Sequence, residues 1–409
     1  MHKTKSVLIT GAGIAGPTAA FWLSRAGFRV TVVERASGIR ATGQSVDIRG
    51  HGLTVIQRMG LETNVRAKST QEQGIRFVDK KNTCKAAFPV NDGFSFTSDI
   101  EIMRGELAQI FYEATNEEVE YIFGEQVGAI SETQDAVTIE FANGASPRSV
   151  DIVIAADGWA STTRAIAFGD WQKNAVHSLG EWAVWFTIPW EKTDTAWARW
   201  YNAPRGRIFF LRPDSAECTR AALRIKTSDE RLDKVSRKSV DEQKHLITHL
   251  VEDAGWEGPR IIKGMYQATD FYMQKIAQIK LKHWSKGRTV VVGDAGYCPS
   301  PMSGMGTTVA IVGAYVLAGE IAANPGNHPA AFEAYERKMQ SLVKKAQKLA
   351  RGAPAMINPQ TEWGIYILHL ILGFFAWTGL YKLLGSPPAS AMKLPEYEIR
   401  DDVQTTRRV

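Results

Sequence analysis

Apolar residues along the chain fall into short continuous runs separated by stretches of helical period, the pattern of a parallel sheet buried on both faces. Residues 6–10 form one such run and lead directly into Gly11-Ala-Gly-Ile-Ala-Gly16. Ala19, Ala20, Leu23 and Ala26 then recur at helical spacing until Gly27 stops the helix. Residues 28–34 are rich in β-branched side chains and predict a second strand. A complete strand–helix–strand unit is therefore legible at the start of the chain.

Further on, Leu107, Ile110, Phe111 and Ala114 share one face of a predicted helix over 101–114. Strands are predicted at 118–123, 136–141 and 150–155, the last a nearly unbroken apolar run. Between 171 and 283 the character changes: Trp- and Thr-rich runs alternate with charged turns, which predicts an antiparallel sheet with a helix near 240–254. A second buried strand at 288–292 precedes a Gly- and Pro-rich loop, a helix over 307–322 and an amphipathic helix over 332–350.

Residues 363–384 are nearly all apolar, interrupted by His369 and Lys382. The segment approaches the ~20 residues that span a bilayer. It is open to two readings, a capping helix or a tail anchor with Trp363, Trp377 and Tyr381 at the interfaces; the capping helix is preferred.

Composition narrows the class. The 409 residues carry a net charge of +6, which suits anionic cofactors and substrates, but the basic residues are scattered and no nucleic-acid-binding signature is present. Cys84, Cys218 and Cys298 are far apart, so neither a metal site nor a disulfide framework is expected. His177, His245, His283 and His369 have no partners at metal or catalytic spacing. No secretory signal is legible, and a cytoplasmic location is expected.

The chemistry begins at Gly11, Gly13 and Gly16, which follow a strand and open a helix. The first glycine permits the tight turn, the second the approach of a pyrophosphate and the third close helix–strand packing. Glu34, at the end of the second strand, is placed for an adenosine ribose. These features bind a dinucleotide without choosing between NAD and FAD.

Two more segments make the choice: Asp151-Ile-Val-Ile-Ala-Ala-Asp157-Gly158-Trp-Ala-Ser161-Thr-Thr-Arg164, and Gly293-Asp294-Ala-Gly-Tyr-Cys-Pro299-Ser-Pro301-Met-Ser-Gly304-Met-Gly306-Thr307. With these the chain resembles the class A flavoprotein monooxygenases, the group of para-hydroxybenzoate hydroxylase, and within it most resembles the tetracycline-inactivating monooxygenases. The likeness runs to about residue 350. It includes Gly43-Gln-Ser-Val-Asp47-Ile-Arg49-Gly50, Glu101-Ile-Met-Arg104-Gly-Glu-Leu107, Phe271-Tyr272 and, near the end, Leu394-Pro395-Glu-Tyr397.

The resemblance implies an α/β fold in which a Rossmann-like FAD-binding domain (1–69, 99–170 and 284–352) receives an inserted mixed-sheet substrate domain (70–98 and 171–283), followed by a C-terminal helix and tail (353–409). It implies that Glu34 holds the ribose, Arg104 contacts FAD, Asp294 bonds the ribityl chain, and Gly304, Gly306 and Thr307 adjoin the isoalloxazine. Asp47 and Arg40 match positions near the flavin and the nicotinamide approach. Asp157 belongs to the second motif, although Asp-Gly is also a common turn pair. NADPH or NADH would reduce the FAD and leave, and O2 would then form a C4a-hydroperoxide that oxygenates a small aromatic or polycyclic compound. The expected assembly is a monomer or weak oligomer.

The chain departs from the class at Met305, where a Gln is usual, and near Gly313, where an Asp is usual. Two alternatives remain at this stage. Trp182-Ala-Val-Trp185-Phe-Thr-Ile188-Pro189 faintly resembles a halogenase signature with each gap one residue too long, and a flavoprotein that only binds ligands would share the scaffold.

Overall fold

The computed structural model describes residues 4–40, 43–70, 72–90, 100–214, 217–349, 356–384 and 392–399. A six-stranded sheet has the spatial order Ser285–Lys286, Thr289–Val291, Ile152–Ala155, Ser6–Thr10, Arg29–Glu34, Glu120–Phe123. All neighbours are parallel except the first pair. Ser6–Thr10 lies inside the sheet and is buried throughout, as its unbroken apolar run requires. Helices Ala15–Arg25, Gly306–Ala323 and His328–Gln347 cover one face. A three-stranded antiparallel sheet covers the other, packing Val137, Ile139 and Val150 on Leu8, Val33 and Val153.

Gly306–Ala323 is apolar and long enough to cross a membrane, but most of it is buried within this layered core. Its length reflects its place between two other helices and the sheet.

A second, seven-stranded sheet runs Tyr272–Ile279, Val176–Pro189, Cys218–Lys226, Arg207–Pro213, Trp197–Ala203, Gly74–Val78, Cys84–Pro89. It is antiparallel except where Trp197–Ala203 meets Gly74–Val78. Helices Val240–Val251 and Gly258–Gln267 cover one face, burying Phe186, Phe209, Leu223, Ile247 and Ile261. The first of these helices starts with a reciprocal capping box between Ser239 and Glu242.

Three expectations need correction. Residues 101–103 are not helical: Ile100–Met103 is a strand paired with Ser45–Ile48, and the helix begins at Arg104. Pairing with a distant segment overrides the local helical pattern there. The apolar run 150–155 is broken at Asp151, whose carboxylate accepts hydrogen bonds from the Ser6 amide and hydroxyl at 2.7 and 2.8 Å. The strand on either side therefore serves two different sheets. The C-terminal segment is a helix, Glu362–Thr378, ended by the left-handed Gly379 and followed by a short turn of helix, Leu380–Leu384. It packs mainly on the hairpin Gly74–Pro89 and the strand Trp197–Ala203. Of the expected domain ranges, 1–3, 41–42, 71, 91–99, 215–216, 350–355, 385–391 and 400–409 lie outside the described residues.

Candidate active site

The carboxyl ends of the parallel strands gather the predicted residues at one edge of the six-stranded sheet, the edge at which such sheets bind nucleotides. Gly11 leaves its strand at φ +95°, and a Cβ there would lie 2.6 Å from the Ala156 carbonyl oxygen. Gly16 packs so closely beneath Gly11 that a side chain would collide with its carbonyl oxygen. The helix that follows has no side-chain cap, so its first amides face outward from the turn. Glu34 closes the turn from the second strand: its carboxylate accepts hydrogen bonds from the Ala12 and Ala36 amides, both at 2.9 Å. Ionised, it keeps acceptor capacity for a further donor.

Arg104 reaches this turn from the helix Arg104–Glu113. One of its guanidinium nitrogens lies 3.1 Å from where a Gly13 Cβ would stand, and its stem lies 3.3 Å from where a Gly43 Cβ would stand. Its charge also bears on Asp294. Pairing of Arg104 with Glu101 along one helix is excluded, because Glu101 lies on the strand and forms its ion pair with Arg212.

Asp294 follows Gly293, which has φ +64°; a Cβ there would lie 3.1 Å from Ala15 of the first helix and 3.4 Å from Ala310 of Gly306–Ala323. The Gly11 turn and the Asp294 turn are thus wedged together. Burial raises the Asp294 carboxyl above its ordinary value, opposed by Arg104, yet the side chain remains partly accessible. A group crowded by protein but still reachable marks a narrow recess, not a filled core. That recess, two uncapped long helices and a side-chain-free glycine turn fit a dinucleotide.

The loop before Gly306–Ala323 completes the edge. Gly304 is left-handed at φ +62°, and a Cβ there would lie 3.5 Å from an Asp47 carboxylate oxygen. Asp47 is ion-paired with Arg49, whose amide donates to the Thr308 hydroxyl at 3.1 Å. Gly306 and Thr307 form the first turn of the helix, with the Met305 backbone at its cap. An acidic side chain at 313 has no room, because a Cβ on Gly313 would meet the Tyr297 hydroxyl.

Two predicted residues are placed differently from the rest. The Asp157 carboxylate is committed to the Ser161 hydroxyl and the Thr163 amide, so it holds the start of the helix Thr162–Phe168, while its backbone abuts Gly11. Arg40 is exposed and stands near enough to Tyr272 to act on its hydroxyl.

The face of the seven-stranded sheet opposite the helices Val240–Val251 and Gly258–Gln267 reaches this edge at Tyr272, while its far end, at Phe88 and Trp200, is covered by the C-terminal helix. Tyr272 is 40% exposed, but its hydroxyl is crowded, which raises it above the ordinary phenol range; Trp159, Arg104, Asp294 and Arg40 all act on it. At the other end of the same face, Arg212 pairs with the buried Glu101. Between them, strand register lines up a transverse row. Trp185 lies opposite both Tyr272 and Ala222, and Phe210 lies opposite both Ala222 and Trp200. Trp185 stacks on Tyr272 with centroids 5.7 Å apart, and Trp200 meets Phe210 at 5.3 Å. Ala222 leaves a gap between these aromatic pairs.

The tryptophans therefore divide by strand parity. Trp182 points into the helix-covered core, and Trp185 and Trp200 belong to the opposite face. Three residues apart on a strand, Trp182 and Trp185 cannot form one signature on one face. Sequence reasoning missed Ala222, Phe210 and Arg212, the ion-pair partner of Glu101. The alternation of Arg220, Ala222 and Arg224 with buried neighbours was a usable signal.

Comparison with known proteins agrees with this geometry. Residues 4–350 match the family described as FAD binding domain. The monooxygenase CTB7 of Cercospora beticola is 36% identical over 97% of this chain and 98% of its own. The flavin-dependent monooxygenase eupH of a Phoma species is 36% identical over 96% of each chain. Among solved structures, the tetracycline destructase Tet(51) superposes with a TM-score of 0.81 at 29% identity, covering 97% of this chain and 100% of that one. The chain belongs to the FAD-binding family of class A flavoprotein monooxygenases, and it is an FAD-dependent oxidoreductase of that group.

Proposed function

We propose that the enzyme uses NAD(P)H and O2 to insert one oxygen atom into a planar aromatic or polycyclic small molecule held against the row Tyr272–Trp185–Ala222–Phe210–Trp200. The observation that carries this reading is the gap at Ala222. It opens between two aromatic pairs on the face that Tyr272 ties to the Asp294 recess. A flat ring system fits between such walls and buries apolar surface on both sides.

In this reading Gly11, Gly13 and Gly16 admit the pyrophosphate, Arg104 neutralises it and Glu34 accepts from the ribose. Asp294 accepts from the ribityl hydroxyls. Gly304, Gly306 and Thr307 present the helix start to the flavin's pyrimidine edge, where the positive end of the helix favours negative charge. Asp47 fixes the Gly304 turn, and Arg40 guides the nicotinamide phosphates to the recess. Held by these residues, FAD would supply the redox chemistry, namely exchange of electrons with the nicotinamide and activation of O2. The chain's own work is to orient the two partners and exclude water. The inserted sheet, formed from parts of 70–98 and 171–283, acts as the substrate module.

The test is anaerobic stopped-flow reduction of the yellow holoprotein by NADPH and NADH, followed by O2 uptake with a panel of phenols, naphthols and hydroxyanthraquinones. Reduction by at least one nicotinamide and O2 uptake stimulated by a planar compound are expected, the stimulation being lost in Ala222→Trp while bound FAD is retained. Failure of both nicotinamides to reduce the flavin, or a product that requires chloride, would overturn the proposal.

A further inference from the structure

The turn between Asp294 and Gly304 is short of its own hydrogen-bond donors. Pro299 and Pro301 have no amide hydrogen, and between them Ser300 is held at φ +77°, a left-handed value that strains a serine. Such a conformation persists only where the surroundings over-determine it. Two glutamines from outside the turn do so. Gln278, on the strand Tyr272–Ile279 and 3% exposed, donates to the Pro299 carbonyl at 3.1 Å and to the Gln347 carbonyl at 2.8 Å. Gln347, the last residue of the helix His328–Gln347, donates to the Ile279 carbonyl at 2.7 Å and reaches the Tyr297 and Cys298 carbonyls at 3.2 and 3.4 Å. Each amide nitrogen faces only acceptors, so its two hydrogens are committed to them.

We propose that Gln278 and Gln347 are positioning residues for the flavin: they latch the Cys298–Ser300 turn so that the start of the helix Gly306–Ala323 is held against the ring. This role rests on the reading of the recess as the flavin site. A short path of hydrogen bonds leads from the latch to that helix. The Ser300 carbonyl, next to the latched Pro299, accepts from the Ser303 hydroxyl at 3.1 Å and from its amide at 3.3 Å. The Ser303 hydroxyl accepts from the Met305 amide at 3.1 Å, and Met305 is the cap of the helix. In the other direction the Cys298 side chain lies against the Asp294 carboxyl.

A glutamine that served the fold alone would lower stability and leave the flavin's electronics unchanged. This pair acts where those electronics are set. The positive end of a helix favours added negative charge, and its effect falls off within one turn. A slackened Cys298–Ser300 turn lets the helix start withdraw from the ring, which weakens the reduced flavin more than the oxidised one. Gln278 also shares its strand with Tyr272. The element that stacks on the aromatic row therefore holds the flavin turn as well, and keeps the two in fixed relation.

The experiment is reductive titration of the gel-filtered holoprotein against a dye of known potential, with the visible flavin spectrum recorded. Gln278→Met and Gln347→Met keep the length of the side chain and remove its donors. Each should disfavour the reduced flavin about tenfold, a fall of about 30 mV for a two-electron couple, and shift the visible bands. Ile247→Val, in the helix layer of the seven-stranded sheet, is the control for a general loss of stability and should leave the potential at the wild-type value. Flavin lost from both glutamine variants at a Tm no lower than that of Ile247→Val would support the latch equally. Wild-type potentials in both variants overturn it, as does a flavin loss that merely follows Tm. Asp294→Ala, run alongside, separates the two readings: FAD binding unaffected there rejects the recess itself, whereas weakened binding there with unshifted glutamine variants rejects only the latch.

Discussion

Glu101 and Arg212 form a buried ion pair that joins the strand Ile100–Met103 to the strand Arg207–Pro213, and so fastens the seven-stranded sheet to the strand pair carrying Asp47. Arg212 also donates to both carboxylate oxygens of Glu72, at 2.9 and 3.2 Å. One guanidinium thus serves two carboxylates, with a third, Asp47, directly across the strand from Glu101. Burial, together with the Glu72 and Asp47 charges and against the pull of Arg212, raises the Glu101 carboxyl from 4.5 to about 7.

A raised carboxyl favours its protonated form in the fold. Its contribution to stability is fully present below 4.5 and is lost as pH rises through about 7. Glu101→Gln should therefore flatten the fall in stability between those limits, read as the difference between wild-type and variant urea denaturation at stepped pH. An unchanged slope would count against the assignment. Arg212→Met leaves two buried carboxylates without their cation and should cost about 3–5 kcal/mol.

Gly13 and Gly11 make a matched pair of tests. Alanine at 13 meets only the far end of the Arg104 side chain, at 3.1 Å. The fold should survive while the arginine is displaced, so FAD affinity drops about tenfold or more with a native circular-dichroism spectrum. Alanine at 11 meets backbone at 2.6 Å and an unfavourable φ, and should cost roughly 1–3 kcal/mol in stability as well as the flavin. Equal effects from the two changes would mean that the turn is not built as described.

Asp294→Ala removes the acceptor carboxyl from the recess. Flavin fluorescence titration of the apoprotein should show FAD binding weakened about tenfold, the equivalent of about 1.4 kcal/mol for a lost hydrogen bond. Asp294→Asn, which keeps an acceptor oxygen, should lose less.

The segment Met392–Ile399 straps the helix Gly306–Ala323. The Tyr397 hydroxyl donates to the buried Glu320 at 2.6 Å, and the Pro395 carbonyl accepts from the Tyr315 hydroxyl at 3.0 Å and from Arg58 at 2.8 Å. Tyr397→Phe should lower stability by about 1–3 kcal/mol, since it removes a partner from a buried carboxylate. Thermal unfolding followed by flavin release measures it, and a Tm equal to wild type would show that the strap carries no load.

What was legible in the sequence was local. The Gly11 turn, the strand ending at Glu34 and the loop from Gly293 to Thr307 are each written in a few adjacent residues, because a tight turn, a buried strand and a helix start each demand particular types at fixed offsets. The row through Ala222 was not legible. It exists only because five strands, from Val176–Pro189 to the distant Tyr272–Ile279, pair in one register, and alternation alone does not say which face meets the core. Glu101 was misplaced for a related reason. Its neighbours carry a helical period, and only its pairing partner, Ser45–Ile48, makes it a strand. Asp157 was read as part of a flavin motif, and its carboxylate is spent on a local helix cap.

The parallel contact between Gly74–Val78 and Trp197–Ala203 has a consequence for biosynthesis. As the polypeptide leaves the ribosome, the hairpin Gly74–Pro89 is finished long before the strand it must join exists, and Ser6–Thr10 likewise waits for Ile152–Ala155. Both segments pass that interval with unpaired edges and apolar surface exposed, the condition in which nascent chains aggregate. Lower synthesis temperature and added chaperone should therefore raise the soluble yield in a heterologous host.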